Sequence, residues 1–233
     1  MIKVDTIINN DINFEIDGDY LINFLKINES ASMRKEALLI ADRVKGIVKP
    51  KYIAKKMRID KLGNNYAIIN GVEFKSTILA RLIRENASVF AFIATSGREI
   101  ENYKSSITDI FESYVLDKIA YLACLRVLRD IEMILNNDFN TKGLISIAPG
   151  SLPGWDIGEL ASILKLFQGE HAKIGVDVTD GGMINPVKSI CGLFIESKMP
   201  IHRCEICTRS DCDFREAEFD ENKFKGVSQW FIN

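Results

Sequence analysis

Residues 143–156 read GLISIAPGSLPGWD. The stretch opens as a buried strand, with Leu144, Ile145 and Ile147 apolar around Ser146. It turns at Pro149-Gly150 and again at Pro153-Gly154, and closes on Asp156, three residues before Glu159, the spacing of a helix capping box. Glycine lets a backbone come within contact distance of a neighbour, and proline stiffens the approach. Two structures satisfy that pattern: a tight crossover from strand to helix, or a preformed wall against a flat ligand such as a nucleotide base.

Working outward, a helix is expected over Ile157 to Phe167, with Leu160, Leu164 and Phe167 inside, then strands over 172–178 and 189–196 joined by TDGGMINPVK. On the other side, residues 107–136 form the longest helical pattern, apolar around so much of its circumference that most of it must be enclosed, Cys124 included. SVFAFIATSG (88–97) is a near-continuous run of β-branched and aromatic residues, a central strand buried on both faces whose end is a natural ligand edge. Further strands are expected at Lys51 to Ile59 and Tyr66 to Phe74, with Asn70-Gly71 a tight turn or a bulge, and Ser76 is placed to cap a helix. An amphipathic helix starts near Met33 behind Ser30 or Ser32 and stops at Pro50, and residues 2–16 alternate loosely as short strands. No repeat or low-complexity linker interrupts the chain, so one α+β domain is the simplest architecture: a mixed, mostly antiparallel twisted sheet flanked by helices.

Composition narrows the function. The 233 residues are 47 % apolar, enough for a sizeable core, and the net charge of −2 argues against nucleic acid as the partner. Ten Lys or Arg face three acidic residues between Arg34 and Lys61, a solvated face or a dock for an acidic partner. The N-terminal residues lack the pattern of a secretory peptide, and no apolar run is long enough to span a bilayer, so a cytoplasmic protein without membrane contact is expected.

Five cysteines in a reducing compartment point to metal or redox chemistry rather than disulfides. His202, Cys204, Cys207 and Cys212 crowd into HRCEICTRSDCDFR with the spacing C-x2-C-x4-C, and two thiolates two residues apart can grip one metal. A structural zinc, an iron-sulfur cluster and metal-free thiols are the three readings, with His202, Cys191 or solvent completing the ligand set. Arg203, Arg209 and Arg215 around the sulfurs favour the thiolate form. His171 reads as a turn residue, Trp155 and Trp230 as packing residues, and Trp155 has the alternative of stacking on a ligand.

The ordered series IAPG and then IGVDVTDGGMINPVKSICGLFI resembles the reactivation domain of cobalamin-dependent methionine synthase and its free-standing bacterial relatives. Ala148, Pro149 and Gly150 match that family's Arg-Pro-Ala-Pro-Gly-Tyr loop, Thr179 and Asp180 its Thr-Glu, and Ser189 to Gly192 its Ser-Val-Ser-Gly strand. The match runs over roughly 75–200 within a domain of 1–200, with 201–233 a cysteine-bearing tail. The resemblance implies S-adenosylmethionine binding at Ser146, Ala148, Pro149, Gly150 and Ser151, and docking on a corrinoid protein whose cob(II)alamin is reductively remethylated. Ser146 stands where the family has its arginine and Ser151 where it has tyrosine; Arg98 or Lys188 is a replacement cation for the ligand carboxylate. The alternative is a metal-binding accessory or electron-transfer protein of corrinoid metabolism that has kept the fold without the ligand.

Overall fold

The computed structural model describes residues 6–139, 143–179, 181–197, 201–212 and 215–228. Asp180 and Trp230 lie outside the described residues. In chain order the elements are β1 (Thr6–Asn9), α1 (Gly18–Leu25), α2 (Ala31–Val44), β2 (Lys51–Leu62), β3 (Ala67–Ile69), β4 (Val72–Phe74), α3 (Thr77–Leu82), β5 (Ser88–Thr95), α4 (Arg98–Ser105), α5 (Ile110–Phe139), β6 (Leu144–Ile147), α6 (Leu160–Lys165), β7 (Asp177–Val178), β8 (Ile184–Asn185), β9 (Ser189–Glu196) and α7 (Glu221–Ser228). Strands run β4-β3-β2-β5-β9-β6, with β1 sharing an edge of the long β2, and every described pairing is antiparallel. The fold is the expected α+β arrangement.

The period of two along β5 explains the layers. Val89, Ala91 and Ile93 point to one face and meet Ile53, Met57, Leu193, α3, α6 and Trp155. Phe90, Phe92 and Ala94 point to the other and meet Val127, Leu128, Ile131 and Leu135 of α5. Central β5 is therefore buried on both sides, as its unbroken apolar run requires. The N-terminal half of α5 continues past the sheet and buries Val115, Ile119 and Ala123 against α1 and α2. At 30 residues α5 is about 45 Å long, which lets one helix serve two clusters.

Local chemistry sets the ends. Asp17, Ser30 and Ser76 each cap a helix through the backbone N–H three residues on. Asn70 (φ 47°) and Gly71 (φ 81°) form the tight turn between β3 and β4, which makes Tyr66 to Phe74 a hairpin rather than one strand.

Four expectations are corrected. Residues 12–16 form no strand; the alternation there serves α1 and α5, against which Phe14 and Ile16 pack. Residues 172–178 are mostly a 3-10 turn (Glu170–Ile174), closed by Gly175 in the left-handed region, and only Asp177–Val178 pairs, with Ile184–Asn185 inside the supposed connection. The 107–136 pattern starts its helix at Ile110, and α4 precedes it unread because only Ile100 of that helix is buried. The helix expected over 157–167 is a 3-10 turn (Ile157–Glu159) followed by the six residues of α6.

Candidate functional site

The loop after β6 is built from its own hydrogen bonds. Gly150 N–H donates to the Trp155 carbonyl at 2.8 Å, Ser151 N–H to Ala148 C=O at 3.1 Å, and Trp155 N–H to Leu152 C=O at 3.2 Å. The Ser151 hydroxyl donates to Ala148 C=O at 2.5 Å and accepts the Ala148 N–H at 3.1 Å. Gly150 (φ 78°) and Gly154 (φ 77°) hold the two left-handed corners. Trp155 plugs the loop into the core, 1 % exposed, with its indole N–H unpartnered. Pro149 is buried, Ala148, Ser146 and Ser151 are half-buried, and Gly150 is exposed with Ile157 packed over it.

The capping box is half formed. Asp156 caps Gly158 N–H at 2.7 Å, whereas the Glu159 carboxylate turns away to Lys75 N–H at 3.2 Å and ties the loop to the start of α3. Gly192 explains the strand on the other side: a methyl there would sit 2.2 Å from the Ile147 carbonyl oxygen, so β6 crosses β9 on glycine. Neither replacement cation is idle. Arg98 donates to Gly175 C=O at 2.6 Å and to Asp177 at 2.5 Å, and Lys188 pairs with Asp117 at 2.9 Å. The end of β5 is filled too, because Lys49 C=O lies against Gly97 and Ser189 bonds Thr95 at 2.9 Å.

The cysteine segment forms a second centre. His202 caps a 3-10 turn, Arg203–Ile206, whose Glu205 returns a bond to His202 N–H at 2.7 Å. Ile201 and Ile206 anchor it in the sheet core. Arg215 gathers the loop by donating to the carbonyls of Cys204 (2.7 Å), Cys207 (3.2 Å), Ala217 (3.3 Å) and Arg209. Glu216 receives Arg129 of α5 at 2.7 Å and Arg203 at 2.6 Å, and His202 Nε2 stands 3.6 Å from it. Of the four expected ligands, the structure brings together His202 and Cys204 and adds Glu216, all three donor atoms within 4.8 Å of one another. Cys207 and Cys212 lie outside that group, and Cys191 is far from it in character, a core thiol 2 % exposed.

Electrostatics distinguish the sulfurs. Burial pushes Cys124 and Cys191 up to about 12, and the Cys124 thiol donates to Lys188 C=O at 2.7 Å, so neither is a nucleophile. At Cys204 burial acts upward as well, but His202 and the N–H groups of Glu216 and Ala217 outweigh it and bring the thiol down to about 7. Cys204 and Glu216 in turn raise His202 to about 9, and His202, with Arg203 and Arg129, lowers Glu216 to about 2. Burial raises the phenol of Tyr121 on α5; Arg203 acts against it, and Glu216, Cys212 and Cys204 add to the push. A cavity of about 460 Å³ opens beside this centre between Asn23, Phe24, Lys26, Asp211, Cys212 and Arg215. A second, about 690 Å³, lies at the start of α5 and is lined by Thr108 to Phe111 and Tyr114. Sequence reading missed Glu216 because it lies four residues past Cys212, in no ligand spacing, and reaches the group only through the fold around Arg215.

No family model and no curated protein matches the chain. Its architecture is an antiparallel sheet with one long helix across one face and a Pro-Gly loop leaving an edge strand. The solved structure described as the MetH reactivation domain bound to AdoHcy superposes with a TM-score of 0.59, 12 % identity, 85 % of this chain and 81 % of that one. The likeness is one of fold. Among the described residues, no helix is long and apolar enough to cross a membrane.

Proposed function

We propose that the chain is an S-adenosylmethionine-dependent reactivator of a corrinoid protein. The observation that carries this reading is the shared fold with a domain crystallised with AdoHcy, and the order of the loop motifs along the chain supports it. The ligand would lie along Ser146 and the loop Ala148, Pro149, Gly150 and Ser151, against peptide groups held rigid by Trp155 and the Ser151 bonds. One electron from an external reductant, with the methyl group of S-adenosylmethionine, takes cob(II)alamin on the partner to methylcobalamin and leaves S-adenosylhomocysteine. The role of this chain is to position the sulfonium and to dock. Replacing an arginine by Ser146 removes a two-pronged carboxylate contact, on the order of 2–5 kcal/mol, so weak, millimolar-range affinity is expected.

A second reading has its own support. The loop N–H groups of Ala148, Gly150 and Ser151 are already used within the loop, which suits an accessory protein of corrinoid metabolism that has kept the fold without the ligand. Incubation with a cob(II)alamin-loaded corrinoid protein, a reductant and S-adenosylmethionine separates the two. Appearance of the methylcobalamin spectrum supports reactivation. Its absence with several corrinoid partners, together with no calorimetric heat at millimolar ligand, leaves the accessory reading.

A further inference from the structure

We infer that His202, Cys204 and Glu216 form a zinc-type metal site whose fourth position is open to solvent. The inference is independent of S-adenosylmethionine binding. One nitrogen, one sulfur and one carboxylate oxygen already converge within 4.8 Å without an ion, and a modest closure gives the separations of a tetrahedral shell. His202 Nε2 faces Glu216 at 3.6 Å; ligation through it requires the ring proton on Nδ1, so the Cys204 N–H contact to Nδ1 at 3.2 Å gives way when the metal binds.

The surroundings hold the ligands in place. Arg129 and Arg203 each grip a carboxylate oxygen of Glu216, and Arg215 fixes the Cys204 carbonyl; such outer contacts orient first ligands. Three arginines beside a cation are tolerable because one thiolate and one carboxylate cancel the charge of a divalent ion, leaving the loaded centre neutral.

Donor chemistry decides between metals. Iron-sulfur clusters are held by cysteine thiolates almost throughout, whereas a mixed nitrogen, sulfur and oxygen set suits zinc. Cys207 stands outside the group, so the C-x2-C pair is not the clamp that its spacing suggests. By joining the 3-10 turn to Glu216, and Glu216 to α5 through Arg129, the metal would staple the C-terminal segment to the long helix.

The test is cobalt substitution in the full chain after chelation. Co(II) is expected to give intense tetrahedral visible bands and a near-ultraviolet thiolate charge-transfer band, both abolished by stoichiometric Zn(II). Cys204→Ser is expected to remove the charge-transfer band, His202→Gln to weaken binding at least 10-fold, and Cys207→Ser and Cys212→Ser to leave the band unchanged. Circular dichroism of each variant separates ligand loss from unfolding. Loss of the band in Cys207→Ser or Cys212→Ser, a weak octahedral cobalt spectrum, or anaerobically purified protein carrying iron and inorganic sulfide would overturn the assignment. Because no arm involves S-adenosylmethionine, its failure is distinct from failure of the reactivation reading.

Discussion

Substituting Gly192 by alanine tests the architecture that carries the loop. In an ordinary strand the change would be neutral or slightly stabilising, since alanine has less freedom to lose on folding. Here the added methyl stands 2.2 Å from the Ile147 carbonyl oxygen, 3.1 Å from its carbon and 3.2 Å from Ala148 Cα. The first distance is more than about 1 Å short of van der Waals contact, and all three atoms are backbone, with no rotamer to relieve them. β6 must therefore retreat from β9, against a ladder that pairs Leu144 to Ile147 with Glu196 to Leu193.

Overpacking of this kind costs about 1–3 kcal/mol, and each ladder hydrogen bond weakened adds up to about 1 kcal/mol. A total near 2–4 kcal/mol corresponds to a Tm lowered by roughly 5–10 °C for a chain of this length. Thermal and urea unfolding measure it directly. Hydrogen exchange adds position, because amides of 144–151 should lose protection while those of β2 and β5 keep theirs. An alanine variant with unchanged midpoint and unchanged exchange at 144–151 would refute the claim that β6 lies on Gly192.

Three further outcomes are expected. Arg215→Ala removes the donor shared by the carbonyls of Cys204, Cys207, Arg209 and Ala217, so exchange and proteolysis should rise across 203–217 while the sheet amides stay protected; Arg215→Lys, a single point donor, should not restore it. Asp117→Asn should cost about 1–3 kcal/mol near neutral pH, since the carboxylate holds Lys104 at 2.5 Å and Lys188 at 2.9 Å. Burial raises the Asp117 pKa but the two lysines outweigh it and depress it, so this stability is present above the ordinary carboxylate value and is lost as pH falls; the gap between wild type and variant should close in acid. Ser76→Ala deletes the cap on Leu79 N–H at a residue 2 % exposed and should cost about 1 kcal/mol by chemical denaturation.

The strands and helices that bury a whole face were legible in the sequence, and those that bury little were not. β5 and β9 announce themselves because every second residue enters one core and the rest enter another. α4 buries Ile100 alone, and β7 and β8 have two residues each, too short for any period to register. At the loop, prolines and glycines gave the turns, but nothing local told whether the Ser151 hydroxyl would face a ligand or close on Ala148. The cysteine centre shows the same limit in reverse. Spacing pointed to Cys204, Cys207 and Cys212, whereas convergence in space depends on Arg215 curling the segment until Glu216 reaches His202, a long-range fact that no spacing encodes.

Ser146→Arg is the most direct test of the ligand reading, because it restores the one side chain by which the resembling loops differ in charge. Ser146 is half-buried on the edge strand β6, opposite Phe194, on the face that carries Leu144 rather than Ile145 and Ile147. An arginine there starts from a half-buried edge position, and its planar donors fit a carboxylate. A charge-assisted contact of about 1.5–3 kcal/mol converts to roughly 10- to 150-fold tighter binding. Calorimetry with S-adenosylmethionine and with its decarboxylated analogue gives the discriminating ratio. A gain confined to the carboxylate-bearing ligand places that group beside β6, whereas an equal response to both, or none in a variant that keeps its Tm, means the loop holds no ligand carboxylate and its internal hydrogen bonds are its whole purpose.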